Sequence, residues 1–270
     1  MSRDYGLCLW TFGDISLEEK CKLAQEIGVS GVEVQGDVTQ NPQELANMLA
    51  TYNLKVLSVT PDNVDISSDK EEVRSKAVQY FLDLLDWAQE LGASRICLHG
   101  DVGKIAGCGD IDKDWRLLVD STKKVMKKAE ACNMNVVFEV LNRYENHQVV
   151  TGQEALALID AVGSPRLYML LDAYHMNIEE ANPIEALKQA GNKLGMYHIA
   201  DSNRQAIGNG HADLKGQVDA LHAINYTEPI IMEMVAEGPN PFTAVKGEDY
   251  LHVLTDYYQT SLATLKEWEQ

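Results

Sequence analysis

Residues 24–30 of the chain read AQEIGVS, and residues 88–94, 64 positions later, read AQELGAS. In both copies a helix-type stretch ends at a glycine, and a short run of β-branched or apolar residues follows. Glycine readily adopts the left-handed conformation that closes a helix, so each copy predicts a helix end followed by a strand. Because one strand–helix unit takes roughly 30 residues, this offset is typical of two successive units.

The same alternation of apolar runs and helix-type stretches continues along the chain. Eight near-continuous apolar runs predict parallel strands that are covered on both faces. The predicted strands are residues 5–9, 31–34, 54–59, 94–98, 134–140, 166–172, 195–199 and 229–233. A chain of 270 residues without a Pro/Gly/Ser-rich linker fits one domain over residues 1–270. We therefore expect a single (β/α)₈ TIM barrel of the α/β class, with a doubly wound open sheet as the alternative.

Several helix starts carry capping signals. In a capping box, a serine or threonine and a glutamate three residues later each accept a backbone N–H. Asn41 followed by Pro42 predicts a further start, and residues 248–268 predict a last helix with a core-facing apolar stripe. The three predicted capping boxes are Ser16 with Glu19, Ser68 with Glu71, and Thr151 with Glu154.

The charge balance and the cysteines exclude several functional classes. With 41 acidic and 23 basic residues, the formal net charge is −18, which repels phosphate backbones and anionic lipids. We therefore expect neither nucleic acid nor a membrane as partner. The N-terminus shows no secretory leader and no apolar run approaches a membrane span, so a cytoplasmic location is expected. The five cysteines include no C-x-x-C pair and are expected to be reduced thiols.

Four side chains of metal-ligating type fall at the carboxyl ends of the last four predicted strands. Catalytic groups of TIM barrels lie at this end, where the βα loops gather. Three carboxylates and one imidazole suit a divalent cation such as Mn²⁺, Mg²⁺ or Co²⁺, with Zn²⁺ as a further option. Three buried carboxylates without a cation would also repel one another. The four residues are Glu139, Asp172, His198 and Glu233.

Three more polar residues follow these strand ends by three to six positions, in loops where a substrate would rest. They are Glu145, His175 and Arg204. An arginine there is a natural donor to a substrate oxygen, although loop arginines are often solvated. His99 and Asp101 are expected either to face this mouth or to form a plain turn, and Trp10 and Phe12 either to stack on a sugar or to plug the barrel top. The backbone of 208–211 is a weak candidate for donating N–H groups to a ligand. His147, His222 and His252 are expected to be structural or exposed.

Three of these stretches carry a family resemblance. Residues 139–145 (EVLNRYE), 171–180 (LDAYHMNIEE) and 198–204 (HIADSNR) resemble the D-tagatose and D-psicose 3-epimerases. These ketose 3-epimerases belong to the xylose isomerase-like TIM barrel superfamily. The resemblance runs through most of the chain, and it implies a xylose isomerase-like barrel, a sugar substrate and a homo-oligomer, either dimer or tetramer.

The resemblance also implies roles for individual residues. Glu139, Asp172, His198 and Glu233 would bind the divalent metal, with Mn²⁺ as the first expectation. Glu139 and Glu233 would double as the catalytic acid/base pair. The substrate-binding residues at the carbonyl end would be Glu145, His175 and Arg204.

The implied activity is that of an isomerase that inverts C3 of a ketose. Removing a hydrogen next to a ketone requires a base and an electrophile that stabilises the enediolate, and inversion requires proton transfer at two faces. Two facing carboxylates meet that need. The alternatives are a sugar-phosphate epimerase or an aldose–ketose isomerase on the same scaffold, and a non-catalytic sugar or metal sensor. An endonuclease IV-type hydrolase conflicts with the acidic charge balance.

Two loops depart from the pattern of the 3-epimerases. After Met232 and Glu233 those enzymes usually continue with Pro-Phe and a pair of glycines, whereas residues 234–242 here read MVAEGPNPF. The loop over residues 99–112 also differs. Neither change alters the four candidate ligands, and both bear on which sugar is the substrate.

Overall fold

Eight parallel strands form one sheet in the computed structural model, which describes residues 3–240 and 243–269. The order β3-β2-β1-β8-β7-β6-β5-β4 leaves β3 and β4 at its edges, and these two strands contact each other and nearly close a barrel. All predicted strand ends are confirmed to within one residue. The strands are β1 (Tyr5–Cys8), β2 (Gly31–Gln35), β3 (Lys55–Thr60), β4 (Arg95–Leu98), β5 (Asn135–Val140), β6 (Leu167–Asp172), β7 (Leu194–Ile199) and β8 (Ile230–Met232).

Nine α-helices lie within the described residues and cover the outside of the sheet. They are α1 (Leu17–Ile27), α2 (Pro42–Thr51), α3 (Glu71–Leu91), α4 (Ile111–Ala131), α5 (Gly152–Val162), α6 (Ala173–Glu179), α7 (Pro183–Ala190), α8 (Leu214–Ala223) and α9 (Tyr250–Trp268). Along this part of the chain, no helix combines the length and the apolar character that crossing a membrane requires. All five cysteines are described and are free thiols.

The repeated motif ends α1 and α3 as expected. Gly28 and Gly92 adopt the left-handed conformation, with φ of +89° and +85°, directly after the last helical residue. Each glycine N–H donates to a carbonyl of the preceding turn, which is Ala24 in α1 and Ala88 in α3. The two copies therefore terminate helices in the same way.

Two of the three predicted capping boxes form, and the third is wrong. The boxes at Ser16 and Thr151 are complete, and Asn41 caps α2. At the start of α3, however, Lys70 occupies the cap position and makes no side-chain cap hydrogen bond to a described residue. The reason is that Ser68 is buried two residues before the cap, where its carbonyl accepts a hydrogen bond from the Arg74 guanidinium.

The large apolar core lies between the strands and the helices, and α9 contributes to it the predicted stripe that includes Leu254, Tyr258 and Leu262. A second, smaller cluster fills the barrel interior and comprises Cys8, Leu57, Cys97, Val137, Leu170, Met196 and Ile231. Side chains along a strand return to the same face every second residue, so the residues two positions further on form the next interior layer. The chain termini at 1, 2 and 270, and Pro241 and Phe242 of the divergent loop, lie outside the described residues.

Candidate active site

The interior layer above the small apolar cluster is polar. Side chains two residues apart on a strand point to the same face, so the residue two positions after each apolar residue belongs to this layer. The apolar residues are Val137, Leu170, Met196 and Ile231, and each is followed in this way by a polar side chain. The four residues so placed are the predicted ligands Glu139, Asp172, His198 and Glu233, and all four are buried. The strand period thus explains why these side chains reach one rim of the barrel.

Three of the four predicted ligands converge. Glu139, His198 and Glu233 each offer one ligand atom, and these atoms lie within 4.8 Å of one another. His198 Nδ1 lies 3.3 Å from Glu233 Oε2. Asp172 stands beside this trio, with Oδ1 accepting the Tyr174 N–H at 2.9 Å.

An arginine lies between two of the candidate ligands. Arg204 Nη1 forms a short ion pair with Glu233 Oε2 and lies 3.1 Å from Asp172 Oδ2. Its guanidinium also stacks over the Tyr174 ring, 4.2 Å from the ring centroid. Arg204 is itself a left-handed residue, with φ of +64°, and its carbonyl accepts the Val235 N–H at 2.8 Å. This backbone bond ties the loop after β7 to the loop after β8.

The donor set fits a divalent cation. Asp172 Oδ2 is buried and, beyond the nearby Arg204 guanidinium, receives no hydrogen bond from any described residue. Asp172 and the neighbouring trio together offer carboxylate oxygens and one imidazole nitrogen. These are the ligand types that Mn²⁺, Mg²⁺ or Co²⁺ bind.

The two glutamates that flank the site have opposite pKa shifts. Burial raises the pKa of Glu139 to about 8; His198 opposes this rise, and nearby carboxylates add to it. Burial also acts to raise the pKa of Glu233, but the charge of Arg204 and the hydrogen bond from His198 hold it well below the usual range. Environments that push two carboxyl groups apart in pKa are typical of an acid/base pair.

The side-chain amide of Asn142 holds His175 in place. Asn142 lies within the motif 139–145, but the sequence alone did not indicate this role. Asn142 Nδ2 lies 2.8 Å from His175 Nδ1 and donates to Glu145 Oε1 at 2.9 Å, while Asn142 Oδ1 accepts the Tyr144 N–H. The amide orientation is therefore fixed, and Nδ1 of the imidazole is assigned as an acceptor. Burial lowers the pKa of His175. The neutral ring thus carries its hydrogen on Nε2, which lies 3.5 Å from Arg204 Nη2 and faces the site.

All three predicted substrate residues and both predicted catalytic glutamates line one cavity. Its volume is about 380 Å³, and its walls include Glu145, His175 and Arg204 together with polar residues at the ends of β2 and β3. Trp10 and His99 also line it, which is one of the two alternatives that the sequence left open for each. Lining residues that sequence reasoning missed are Gln35, Thr60, Asp62, Asn63 and Tyr174.

The alternatives left open near the mouth are decided for Phe12 and for residues 208–211. Phe12 is fully buried and packs against Tyr258, with ring centroids 5.8 Å apart, so it belongs to the core and does not face the cavity. The backbone of residues 208–211 does not point its N–H groups at a ligand, because Asp201 Oδ2 accepts the Gly208 N–H and Ser202 Oγ accepts the His211 N–H. These donors organise the loop itself.

A further buried carboxylate was also missed. Glu33 of β2 lies in the same polar layer, with Oε1 at 3.5 Å from His198 Nε2. The feature that marks it in the sequence is an acidic residue inside the apolar run GVEV.

A comparison with known proteins agrees with this architecture. The family model for the xylose isomerase-like TIM barrel matches residues 21–254. The L-ribulose 3-epimerase of Mesorhizobium japonicum is 30% identical over 192 residues, which cover 70% of this chain and 65% of that protein. The chain thus matches slightly less than two thirds of this relative's length.

Two solved structures are similar over nearly the full length. The D-allulose 3-epimerase from Methylomonas sp., in complex with D-allulose, is 27% identical with a TM-score of 0.86, covering 99% of this chain and 98% of that one. The 3-keto-D-glucoside 4-epimerase from E. coli is 25% identical with a TM-score of 0.85, covering 98% and 100%. These likenesses confirm the resemblance inferred from the three sequence motifs. The chain belongs to the xylose isomerase-like TIM barrel family.

Proposed function

We propose that the protein is a metal-dependent epimerase that inverts C3 of a ketose. The observation that carries the proposal is the pair of buried glutamates, Glu139 and Glu233, which line one cavity with opposite pKa shifts. The full-length likeness to a D-allulose 3-epimerase supports the choice of substrate class.

The metal would be held by Glu139, Asp172, His198 and Glu233, with Mn²⁺ as the first candidate. When bound, it would supply a Lewis acid that stabilises the negative charge developing on the substrate oxygens.

The two glutamates would move the proton. In one direction Glu233, which is ionised, removes the hydrogen from C3, and the electron pair of the C–H bond passes to the C2 carbonyl oxygen. The carboxyl group of Glu139 would then deliver a proton to the opposite face of C3 as the carbonyl re-forms. In the reverse direction the two side chains exchange roles. Inversion follows because the proton leaves one face and another arrives at the other.

The surrounding polar residues would orient the substrate. The Nε2–H of neutral His175 and the guanidinium of Arg204 are the donors available to the carbonyl oxygen. Glu145 can accept a hydrogen bond from a substrate hydroxyl, and Asn142 holds both Glu145 and His175 in place. A fixed carbonyl orientation brings C3 between the two glutamates.

The cavity favours an uncharged sugar. Among the described residues that line it, Arg204 is the only permanent cation, and its charge is paired with Asp172 and Glu233. A phosphate or carboxylate group in this cavity would meet no unpaired basic side chain among the described lining residues, and Asp62 would repel it. We therefore favour a free ketose over a sugar phosphate.

A second candidate function is 4-epimerisation of a keto-glycoside. The full-length likeness to the 3-keto-D-glucoside 4-epimerase supports it, and a base beside a ketone can deprotonate either neighbouring carbon. We also propose a homo-oligomer, dimer or tetramer, which light scattering after size-exclusion chromatography would measure.

The test is proton NMR of the Mn²⁺-loaded protein in D₂O with C3-epimer pairs of free ketoses and with a 3-keto-glucoside. The proposal predicts solvent deuterium at C3 together with inversion of a ketose. Exchange confined to C1 or C2 would identify an aldose–ketose isomerase, and exchange at C4 of the glycoside alone would identify the 4-epimerase. Binding without any exchange would leave a non-catalytic sensor.

A further inference from the structure

Glu33 is a buried carboxylate that forms no ion pair with a lysine or arginine in the part of the chain that the structure describes. Its side chain is 2% exposed, and within residues 3–240 and 243–269 its one potentially cationic partner is His198. An acidic group this deep in a barrel is costly unless it serves a paired group. We therefore expect this carboxylate to have a role that offsets the cost of burying it.

The contacts of Glu33 hold it in one orientation. Thr60 Oγ1 donates to Oε1, and Cys8 Sγ approaches the same oxygen at 3.6 Å. Oε2 is buried and receives no hydrogen bond from the described part of the chain. These contacts come from β1 and β3, the strands on either side of β2, so the carboxylate is fixed by rigid elements.

The His198 ring lies between Glu33 and the candidate metal ligands. Nδ1 faces Glu233 at 3.3 Å, on the side of the trio with Glu139. Nε2 faces Glu33 at 3.5 Å, and it is buried without any hydrogen bond to a described residue. The two ring nitrogens therefore have different partners on opposite sides.

A histidine binds a metal through a nitrogen that carries no hydrogen, and its other nitrogen usually donates to a carboxylate or carbonyl. That second bond fixes both the tautomer and the ring orientation. With Nδ1 on the side of the other ligands, the hydrogen belongs on Nε2. Glu33 is the acceptor in reach.

We infer that Glu33 is a positioning residue that binds the Nε2–H of His198 and so turns the Nδ1 lone pair toward the metal. This inference rests on the proposed metal site, and not on the identity of the sugar. Thr60 is assigned the supporting role of fixing Glu33 Oε1 by its hydroxyl.

The test compares Glu33→Gln and Glu33→Ala with the wild type in Mn²⁺ affinity, measured by the EPR signal of free Mn²⁺. Partners of this kind typically contribute a 10- to 100-fold change in metal affinity, so Glu33→Ala is expected to weaken binding by about that factor. Glu33→Gln retains an acceptor oxygen and is expected to lose less. Glu228→Gln is the matched control, because Glu228 pairs with Arg95 outside this site, and its affinity is expected to be unchanged.

A second readout separates positioning from a general structural effect. Long-range ¹H–¹⁵N NMR of the protein loaded with diamagnetic Mg²⁺ reports whether the Nε2–H of His198 is hydrogen-bonded. The wild type is expected to show the downfield signal of a hydrogen-bonded Nε2–H, and Glu33→Ala to show this signal shifted upfield. Unchanged Mn²⁺ affinity and an unchanged Nε2–H signal in folded Glu33→Ala would overturn the inference, and so would a wild type that binds no Mn²⁺. If instead every sugar fails to react while the affinity difference holds, the proposed function falls and the positioning role stands.

Discussion

At the level of single residues, the proposed chemistry depends on two glutamates with similar burial and different neighbours. Arg204 and His198 contact Glu233 and hold its pKa low, whereas burial, with nearby carboxylates, raises the pKa of Glu139. The difference arises from the fold and not from the residue type.

Replacing either glutamate by glutamine should stop epimerisation but not all proton exchange. With Glu139→Gln, Glu233 can still exchange the C3 hydrogen that faces it, although no proton arrives at the other face. We expect turnover to fall by at least about 10³-fold while one epimer still gains deuterium from solvent. NMR in D₂O with both epimers at saturating Mn²⁺ measures this. Near-normal epimerisation in Glu139→Gln or Glu233→Gln would show that the assigned roles are wrong.

The amide of Asn142 offers a second test at this scale. Asn142→Ala removes the donor that holds both His175 Nδ1 and Glu145 Oε1. Because the ring and the carboxylate then lose their fixed orientation, we expect kcat to fall by about 10-fold or more, with a smaller change in KM. Steady-state kinetics measure both values. An effect on KM alone would mean that Asn142 supports binding and not alignment of the reacting groups.

The four candidate ligands could be predicted from the sequence, but their neighbours could not. Asp172 and Glu233 stand directly at strand ends, where chain position alone indicates the rim of a barrel. Glu33 comes early in the chain inside an apolar run, and its pairing with His198 requires knowing that β1 and β8 are adjacent. Long-range pairing of this kind is not encoded in local spacing.

At the scale of elements, the loop after β7 is built around one aspartate. Asp201 is buried, and its side chain accepts the backbone N–H groups of Ser202, Gly208 and Ala212. The same loop carries Arg204 in its left-handed conformation. The orientation of the guanidinium therefore depends on a carboxylate that never touches the cavity.

This loop should respond to pH in a defined direction. Burial acts to raise the pKa of Asp201, but the backbone hydrogen bonds outweigh it and hold the pKa below the usual value. A depressed pKa stabilises the fold above the unfolded-state value of about 3.9, and this contribution is lost as pH falls below it. We expect Asp201→Asn to lower Tm by roughly 5 °C at pH 7 and by much less near pH 3.

Calorimetry of the variant and the wild type across this pH range makes the comparison. An equal difference in Tm at both pH values would show that the charge of Asp201 contributes nothing to the loop. Asp219→Asn is a suitable control, because Asp219 is exposed and pairs with Lys215 on the surface of α8. Its Tm should stay close to that of the wild type.

Strand positions were predictable to within one residue because each strand is a short apolar run bounded by turn residues. Helix starts were predicted less accurately, as the example of Ser68 shows. Spacing alone matched a capping box there, but burial of the serine and the contact of its carbonyl with Arg74 moved the helix start to Glu71. Tertiary contacts overrode a local preference.

For the molecule as a whole, acidic residues outnumber basic ones, and acidic residues are also concentrated in the candidate active site. The formal net charge is −18, and Glu33, Glu139, Asp172 and Glu233 lie together in the barrel with Arg204 as their permanent cation among the described residues. A divalent ion would relieve the repulsion that remains.

Metal should therefore stabilise the fold measurably. At a concentration of Mn²⁺ about 100 times its Kd, we expect Tm to rise by roughly 5 to 10 °C, and chelation by EDTA should reverse both this rise and the activity. Differential scanning calorimetry with and without Mn²⁺ measures the shift. His198→Ala is expected to reduce it strongly. A wild-type Tm that does not respond to Mn²⁺ would argue against the site.

The sequence does not reveal which sugar is the substrate, because segments far apart in the chain form the cavity. Part of the cavity wall is made by Trp10, Gln35, Asp62 and Asn63, which come from the ends of three different strands and the segments after them. Only the closed barrel brings these segments together, so no spacing in the chain indicates the shape that a sugar would meet.

A crystal structure of the Mn²⁺-loaded protein, with anomalous data collected at the manganese edge, would test the proposed metal site without reference to any substrate. We expect one strong anomalous peak at the carboxyl end of the barrel, within about 2.0 to 2.6 Å of ligand atoms from Glu139, Asp172, His198 and Glu233. A peak elsewhere, or a peak at this rim that lacks one of the two glutamates, would contradict it.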